Sequence, residues 1–205
     1  MIIDDKLTEL YSADPYRVFN ATSFKGIPGG TKSSIYGEIS RDGAETLLSR
    51  LNLEGLLNSE TIFYDLGSGL GRLVMHACLK YPINAVGIEF SKERYKYSTQ
   101  LYKNLKLTNA TFINGDYFKC NISNATLIFI DDTCQRLSDV ILMFDDDLLP
   151  DEFVIVSTTD EKYISAIKDS KFEVVPDTKQ IVIPKVVQTY TASRVFYACR
   201  IRKRQ

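Results

Sequence analysis

An α/β domain is predicted, with a mostly parallel sheet, helices on both faces and an antiparallel ribbon at the C-terminal end. Three observations predict it. Short apolar runs alternate with segments of helical period from residue 61 to about 157, the pattern of successive βαβ units. The first run, Thr61-Ile62-Phe63-Tyr64-Asp65-Leu66, leads straight into Gly67-Ser68-Gly69-Leu70-Gly71, a loop with glycine at every second position. Beyond residue 171, strand-like runs follow one another without a helical segment between them.

The elements follow in chain order. Residues 1–35 hold a short amphipathic start and then Lys25-Gly26-Ile27-Pro28-Gly29-Gly30, punctuation that reads as loop. Ala44, Leu47, Leu48 and Leu51 recur at helical spacing and predict a helix over 41–53. Strands are expected near 61–66, 84–89, 110–114, 126–131 and 152–157, with helices near 70–81, 91–106, 135–146 and 161–169. The closing ribbon takes 171–175, 180–184 and 195–202. No repeat or linker divides the chain, so one domain is expected over 41–205.

Bulk properties narrow the classes. The chain has 205 residues, 44% hydrophobic and 25% charged, with a formal net charge of −1. That balance does not supply a general electrostatic grip on nucleic acid. No run of about 18 apolar residues and no signal-peptide architecture is present, so an intracellular location, cytoplasmic or nuclear, is expected, with no membrane partner. Cys78, Cys120, Cys134 and Cys199 are widely spaced and His76 is the sole histidine. No metal site is expected from that set, and His76, among Leu73, Val74, Met75, Ala77 and Cys78, reads as a packed helix residue.

Three strand ends carry chemistry. Glycines let the backbone take positive φ and approach a ligand closely, and the helix start behind them offers free N–H groups. The spacing after Asp65 is G-x-G-x-G through Gly67, Gly69 and Gly71, with Ser68 between the first two. It is neither the G-x-G-x-x-G of a dinucleotide site nor a Lys-Ser/Thr phosphate loop. Asn84-Ala85-Val86-Gly87-Ile88-Glu89 ends in an acid 24 residues beyond Asp65, where a carboxylate can accept two hydrogen bonds from ribose hydroxyls. Gly115-Asp116-Tyr117-Phe118 follows the third strand; Asp116 can bond an adenine amino group while the Tyr117 ring packs on the base. Together these predict a nucleoside-type cofactor site.

The D-x-G-x-G-x-G motif resembles the first motif of Rossmann-like S-adenosylmethionine-dependent methyltransferases. Ile35-Tyr36-Gly37-Glu38-Ile39 upstream of it, with Asp131-Asp132 after the strand 127–130, and Tyr190-Thr191 with Phe196-Tyr197, sharpens the likeness. Over about 36–197 the chain resembles the Dot-type (disruptor of telomeric silencing) protein lysine methyltransferases. The resemblance implies a Rossmann-like methyltransferase sheet, S-adenosyl-L-methionine as cofactor and a protein substrate carrying the target lysine. It implies that residues 1–40 cap the cofactor site, with Tyr36 and Glu38 on the cofactor. It also implies that Asp131, Tyr190 and Tyr197 line the lysine channel as the catalytic set. Asp65, Gly67, Ser68, Gly69, Gly71, Glu89, Asp116, Tyr117 and Asp131 complete the expected cofactor contacts.

The chain departs from the family on the acceptor side. Asp131-Asp132-Thr133 stands where members carry Asn-Asn and an aromatic, and no Trp begins the late pair. Asp131 therefore has two readings, an acid that orients the amine or a cofactor-side strand-end acid. The cluster Arg200, Arg202, Lys203 and Arg204 is either a DNA or nucleosome contact or the solvated end of a strand. Two rival functions stand beside lysine methylation: transfer to a small molecule or nucleic-acid base, and a non-catalytic cofactor-binding module. An apolar, aromatic-walled tunnel would favour the neutral amine that attack requires, since an exposed lysine has a pKa of about 10.4.

Overall fold

A computed structural model describes residues 2–12, 38–131, 137, 141, 142, 144, 146–160, 171–188 and 193–204. Its strands are β1 (Ile62–Leu66), β2 (Asn84–Glu89), β3 (Ala110–Asn114), β4 (Leu127–Ile130), β5 (Glu152–Ser157), β6 (Phe172–Val174), β7 (Ile181–Val186) and β8 (Arg194–Lys203). Its α-helices are α1 (Ile3–Tyr11), α2 (Arg41–Leu53), α3 (Arg72–Lys80) and α4 (Lys92–Asn104). One sheet runs β3-β2-β1-β4-β5-β8-β6, with β7 also on β8. β3, β2, β1, β4 and β5 pair in parallel, and β8 is antiparallel to β5, β6 and β7.

The sheet is the expected one, with its antiparallel strands at the C-terminal end: β8 lies beside β5, and β6 and β7 share its outer edge. Val174 faces Ile201 and Ile181 faces Ala198, so β6 and β7 run in the same direction along one partner. The bend between them carries Asp177 at φ 61°.

Strands buried on both faces explain the near-continuous apolar runs. On one face, Phe63, Ala85, Leu127, Phe129, Val154, Val156 and Phe196 pack with Leu47, Leu48 and Leu51 of α2 and Val74 and Ala77 of α3. On the other, Tyr64, Leu66, Ile88, Ile128, Ile130, Phe153 and Ile155 pack with Leu137, Ile141 and Phe144. Leu137, Ile141 and Leu142 are helical; the rest of the helix expected over 135–146, and all of 161–169, lie outside the described residues. A third cluster docks α1 onto the body through Leu7 and Leu10 against Met75, Leu101 and Leu105.

His76 sits in this α1 contact, fully buried, between Tyr11 Oη at 3.0 Å from Nδ1 and Glu45 Oε2 at 3.1 Å from Nε2. A carboxylate only accepts, so Nε2 carries the hydrogen and Nδ1 accepts from the tyrosine hydroxyl. Burial lowers the His76 pKa and keeps the ring neutral. His76 is thus a structural residue, as its apolar neighbours imply.

The start of α2 is held from outside its own helix. The Ser40 hydroxyl caps it by accepting from Gly43 N–H at 3.1 Å. Ser40 N–H donates to Val187 C=O at 2.9 Å, and Ile39 bridges Gln188. A Cβ at Gly43 would lie 2.1 Å from that same Val187 oxygen, so glycine is what lets α2 meet the end of β7. Gly43→Ala should therefore destabilise the fold. Overpacking against backbone costs about 1–3 kcal/mol, against a helix-propensity gain of at most about 1 kcal/mol. Urea unfolding should show a net loss of about 1–2 kcal/mol; an unchanged midpoint would contradict the tight approach.

Candidate cofactor and acceptor site

Parallel pairing puts four strand ends on one edge. Leu66 faces Ile88 on one side and Ile130 on the other, and Glu89 faces Asn114. The residues that follow, Gly67, Glu89 and Asp131, thus stand side by side. The strand order changes direction between β1 and β4, which opens the crevice where α/β sheets take ligands.

The loop is shaped by three left-handed glycines, Gly67 at φ 87°, Gly69 at 56° and Gly71 at 72°. Gly67 and Ser68 N–H both donate to Ile88 C=O at 2.9 Å, and Gly71 N–H returns to Ser68 C=O at 2.7 Å. A Cβ at Gly67 would meet nothing within 4 Å, whereas one at Gly71 would lie 2.3 Å from Phe112 Cε1. Gly67 therefore faces the open crevice and Gly71 packs down onto β3. Arg72, the first residue of α3, is buried; its Nη1 binds Glu38 Oε1, and its guanidinium lies 5.6 Å from the Tyr11 ring centroid.

Glu89 is buried and uses both oxygens. Oε2 accepts from Gly69 N–H and Oε1 from Ser91 N–H, each at 2.8 Å, with Arg94 Nη1 3.7 Å from Oε1. A carboxylate has about four acceptor positions, so it holds the loop and still has capacity for hydroxyls. Asn114 Nδ2 ties β3 to this turn through Glu89 C=O at 2.9 Å and Phe90 C=O at 3.0 Å. The Phe90 ring is 41% exposed right beside Glu89.

Asp65 is buried, and its pKa is pushed up to about 8, first by loss of hydration and then by the negative charges of Glu89 and Asp131. At neutral pH it is mostly protonated, between two other acids. Such an edge favours a cationic ligand. Asp131 accepts from Gln188 Nε2 at 2.6 Å.

Asp116 caps the 3-10 turn Tyr117–Lys119 by accepting from Phe118 N–H at 3.1 Å. The Tyr117 ring packs against Phe118 and Phe144, with centroids 4.4 and 6.0 Å away, and burial followed by the Asp116 charge raises its pKa to about 12. Tyr197 opposes Ser157 at the carboxyl end of β5, on the same edge as Asp131 but two strand positions away. Tyr36 and Tyr190 lie outside the described residues. The basic cluster at the end of β8 is largely paired: Arg200 with Glu152 at 3.0 Å, Arg202 with Glu173 at 2.8 Å and Lys203 with Asp151 at 2.9 Å.

Sequence reasoning missed Gln188, Arg94, Phe90 and the pairing of Arg72 with Glu38. Phe90 was findable, as an aromatic directly after a strand-end acid. Gln188 carried no signal, since its partner is 57 residues away in sequence.

Known proteins resemble the chain in sequence and in fold. The model of the family described as "Histone methylation protein DOT1" matches residues 29–142. A protein-lysine N-methyltransferase of Saccharolobus islandicus (strain REY15A) is 30% identical over 86 residues, 41% of this chain and 53% of that protein. The match thus spans about half the length of that relative. An RNA methyltransferase of Salinibacter ruber, solved with S-adenosyl-L-homocysteine, superposes with a TM-score of 0.57 at 21% identity, over 82% of this chain and 95% of that one. A Pyrococcus horikoshii structure described as a candidate RNA methyltransferase gives 0.58 at 14% identity, over 98% and 96%. At these identities the likeness shows a Rossmann-like methyltransferase fold.

The Asp65 carboxyl makes stability depend on pH. Its folded pKa of about 8 lies above the ordinary 3.8, so the folded chain holds a proton that the unfolded chain has lost. Its contribution is full below pH 4 and is lost as pH rises towards 8, by up to about 1.4 kcal/mol per pH unit. Urea unfolding at pH 5.5 and 7.5 should show wild type losing more stability than Asp65→Asn, the neutral isostere. Equal slopes would contradict a buried, protonated Asp65.

Proposed function

The chain belongs to the DOT1 family of histone methylation proteins, and from that premise we propose that it is an S-adenosylmethionine-dependent protein lysine N-methyltransferase. The observation that carries the proposal is the register of the glycine loop with Glu89 and Asp131 at one sheet edge, inside the segment that matches the family. The crevice suits the cofactor: open space over Gly67, acceptor capacity on Glu89 for ribose hydroxyls, an exposed Phe90 for the adenine face and a negative edge for a cation.

When bound, S-adenosylmethionine supplies a methyl group already activated on a sulfonium. The chain therefore has to position groups and exclude water rather than generate a strong nucleophile. Gly67, Ser68, Gly69 and Gly71 shape the floor, Glu89 sets its charge beside the protonated Asp65, and Asp116 with Tyr117 closes the adenine end. Tyr36 and Glu38 belong to the 1–40 cap on the methionine side, with Arg72 holding Glu38. On the acceptor side, Asp131 receives an N–H of the incoming amine while Tyr190 and Tyr197 wall the channel.

Transfer to RNA, suggested by the names of the solved neighbours, finds less support. Nucleic-acid binding draws on cations that can replace counterions, and three of the four in the terminal cluster already face acids. A lysine-bearing protein, histone or other, fits the negative edge better.

The test is to incubate the purified chain with methyl-labelled cofactor and three acceptor pools: nucleosomes, free histones and a protein extract depleted of nucleic acid. Wild type should label a protein on lysine, and Gly69→Arg, which fills the loop, should reduce label at least about 100-fold by abolishing binding. Label on RNA alone, or no label with cofactor binding intact by calorimetry, would overturn the proposal.

A further inference from the structure

Arg72, His76 and Lys80 follow one another at intervals of four and so share one face of α3. Tyr11, the last residue of α1, spans the first two. Its hydroxyl meets His76 Nδ1 at 3.0 Å, its ring stands edge-on to the imidazole with centroids 5.8 Å apart, and the Arg72 guanidinium lies 5.6 Å from its ring centroid. The tyrosine is held from its own helix as well. Its neighbour Leu10 is fully buried in the cluster with Met75, Leu101 and Leu105. Arg41 of α2 reaches Thr8 Oγ1 at 3.4 Å and Asp4 Oδ1 at 3.3 Å. His76 is itself held by Glu45, which also binds Lys80.

Arg72 directly follows Gly71 of the glycine loop and binds Glu38, two residues before Ser40, the cap of α2. Both side chains of this pair are nearly dry, 5% and 11% exposed. Two charges taken out of water hold together only when their geometry is good. The aromatic ring beside the guanidinium contributes in two ways: it attracts the cation, and it fills space on that side of the pair. The charge of Glu38 also reaches the Tyr11 hydroxyl, whose pKa is raised first by burial and then by that carboxylate. Tyr11, Arg72 and Glu38 thus form one compact unit that runs from α1 past the head of α3 to the segment entering α2.

We infer that Tyr11 is a positioning residue for the cofactor site, acting through Arg72 to hold Glu38 on the methionine side. This rests on the reading of Glu38 as a cofactor contact. The ring carries the effect, because the ring faces the guanidinium while the hydroxyl is engaged with His76. Docking of α1 thereby reaches the site through one side chain, without α1 touching the cofactor.

The experiment titrates S-adenosylmethionine by calorimetry into wild type, Tyr11→Phe, Tyr11→Leu, Glu38→Gln and the Tyr11→Leu/Glu38→Gln double variant, each verified as folded by circular dichroism. Tyr11→Leu should weaken binding about tenfold, while Tyr11→Phe, which keeps the ring, should stay within about twofold. The cost of losing the hydroxyl should appear instead as a lower midpoint of urea unfolding in Tyr11→Phe. In the Glu38→Gln background Tyr11→Leu should add little, because the two act through one pair; a loss caused only by a loosened α1 would persist there. Undiminished binding in Tyr11→Leu, an equal loss in Tyr11→Phe, or additive losses would overturn the inference and leave the reading of Glu38 intact. Glu38→Gln binding as tightly as wild type, or a wild type that binds no cofactor, would overturn that reading and the inference with it. Should Tyr11→Leu fail to fold, Tyr11→Met, longer and equally without a ring, takes its place under the same outcomes.

Discussion

The site hangs on one buried carboxylate. Glu89 takes Gly69 N–H on one oxygen and Ser91 N–H on the other, and so joins the loop after β1 to the start of α4 after β2. Hydrogen bonds to a charged group contribute about 1.5–3 kcal/mol each, and here they hold the loop at Gly69, next to the buried Leu70. Backbone bonds to Ile88 and Ser68 already hold Gly67 and Gly71, and the Glu89 contact fixes Gly69 between them. The same residue that is expected to receive the ribose therefore also builds the floor beneath it. Ser91 adds to the economy of the turn by capping α4, with its hydroxyl accepting from Arg94 N–H at 3.4 Å.

Placing Glu89 there has an electrostatic consequence. Parallel strands in register bring Asp65, Glu89 and Asp131 to one edge, and Asp65, buried beside the other two charges, keeps its proton to about pH 8. Like charges at a dry edge are costly until something positive arrives. A cation in the crevice would ease that repulsion, which would connect the fold's register to the sulfonium cofactor proposed for it. Arg72 and Glu38 form a second buried pair at the head of α3, and α1 covers that region through Tyr11 and His76.

What the sequence made legible was local. The helix over 41–53 is found where apolar spacing put it, and β1, β2 and β3 begin and end within a residue of their apolar runs, because burial on both faces leaves little else for such runs to do. The glycine loop was legible because only glycine takes those dihedrals readily. The insertion of β8 between β5 and β6 was not, since strand order among neighbouring antiparallel strands depends on pairings that no single segment encodes. The grip of Gln188 on Asp131, the Arg72–Glu38 pair and the pairing of the terminal cations with Glu152, Glu173 and Asp151 escaped for the same reason. Each joins residues at least 29 positions apart. Asp116 shows a subtler gap: its place after β3 was clear, but not that its carboxylate caps the following turn.

The most direct measurement is calorimetric titration of S-adenosylmethionine into wild type and Glu89→Gln, with circular dichroism to verify that both are folded. Glutamine keeps the shape but replaces one accepting oxygen with a donor that opposes a backbone N–H. If Glu89 both builds the floor and receives the ribose, affinity should fall at least about 30-fold, the equivalent of roughly 2 kcal/mol, with the fold retained. Binding within about threefold of wild type would show that the cradle does not depend on this carboxylate and would contradict the placement of the cofactor.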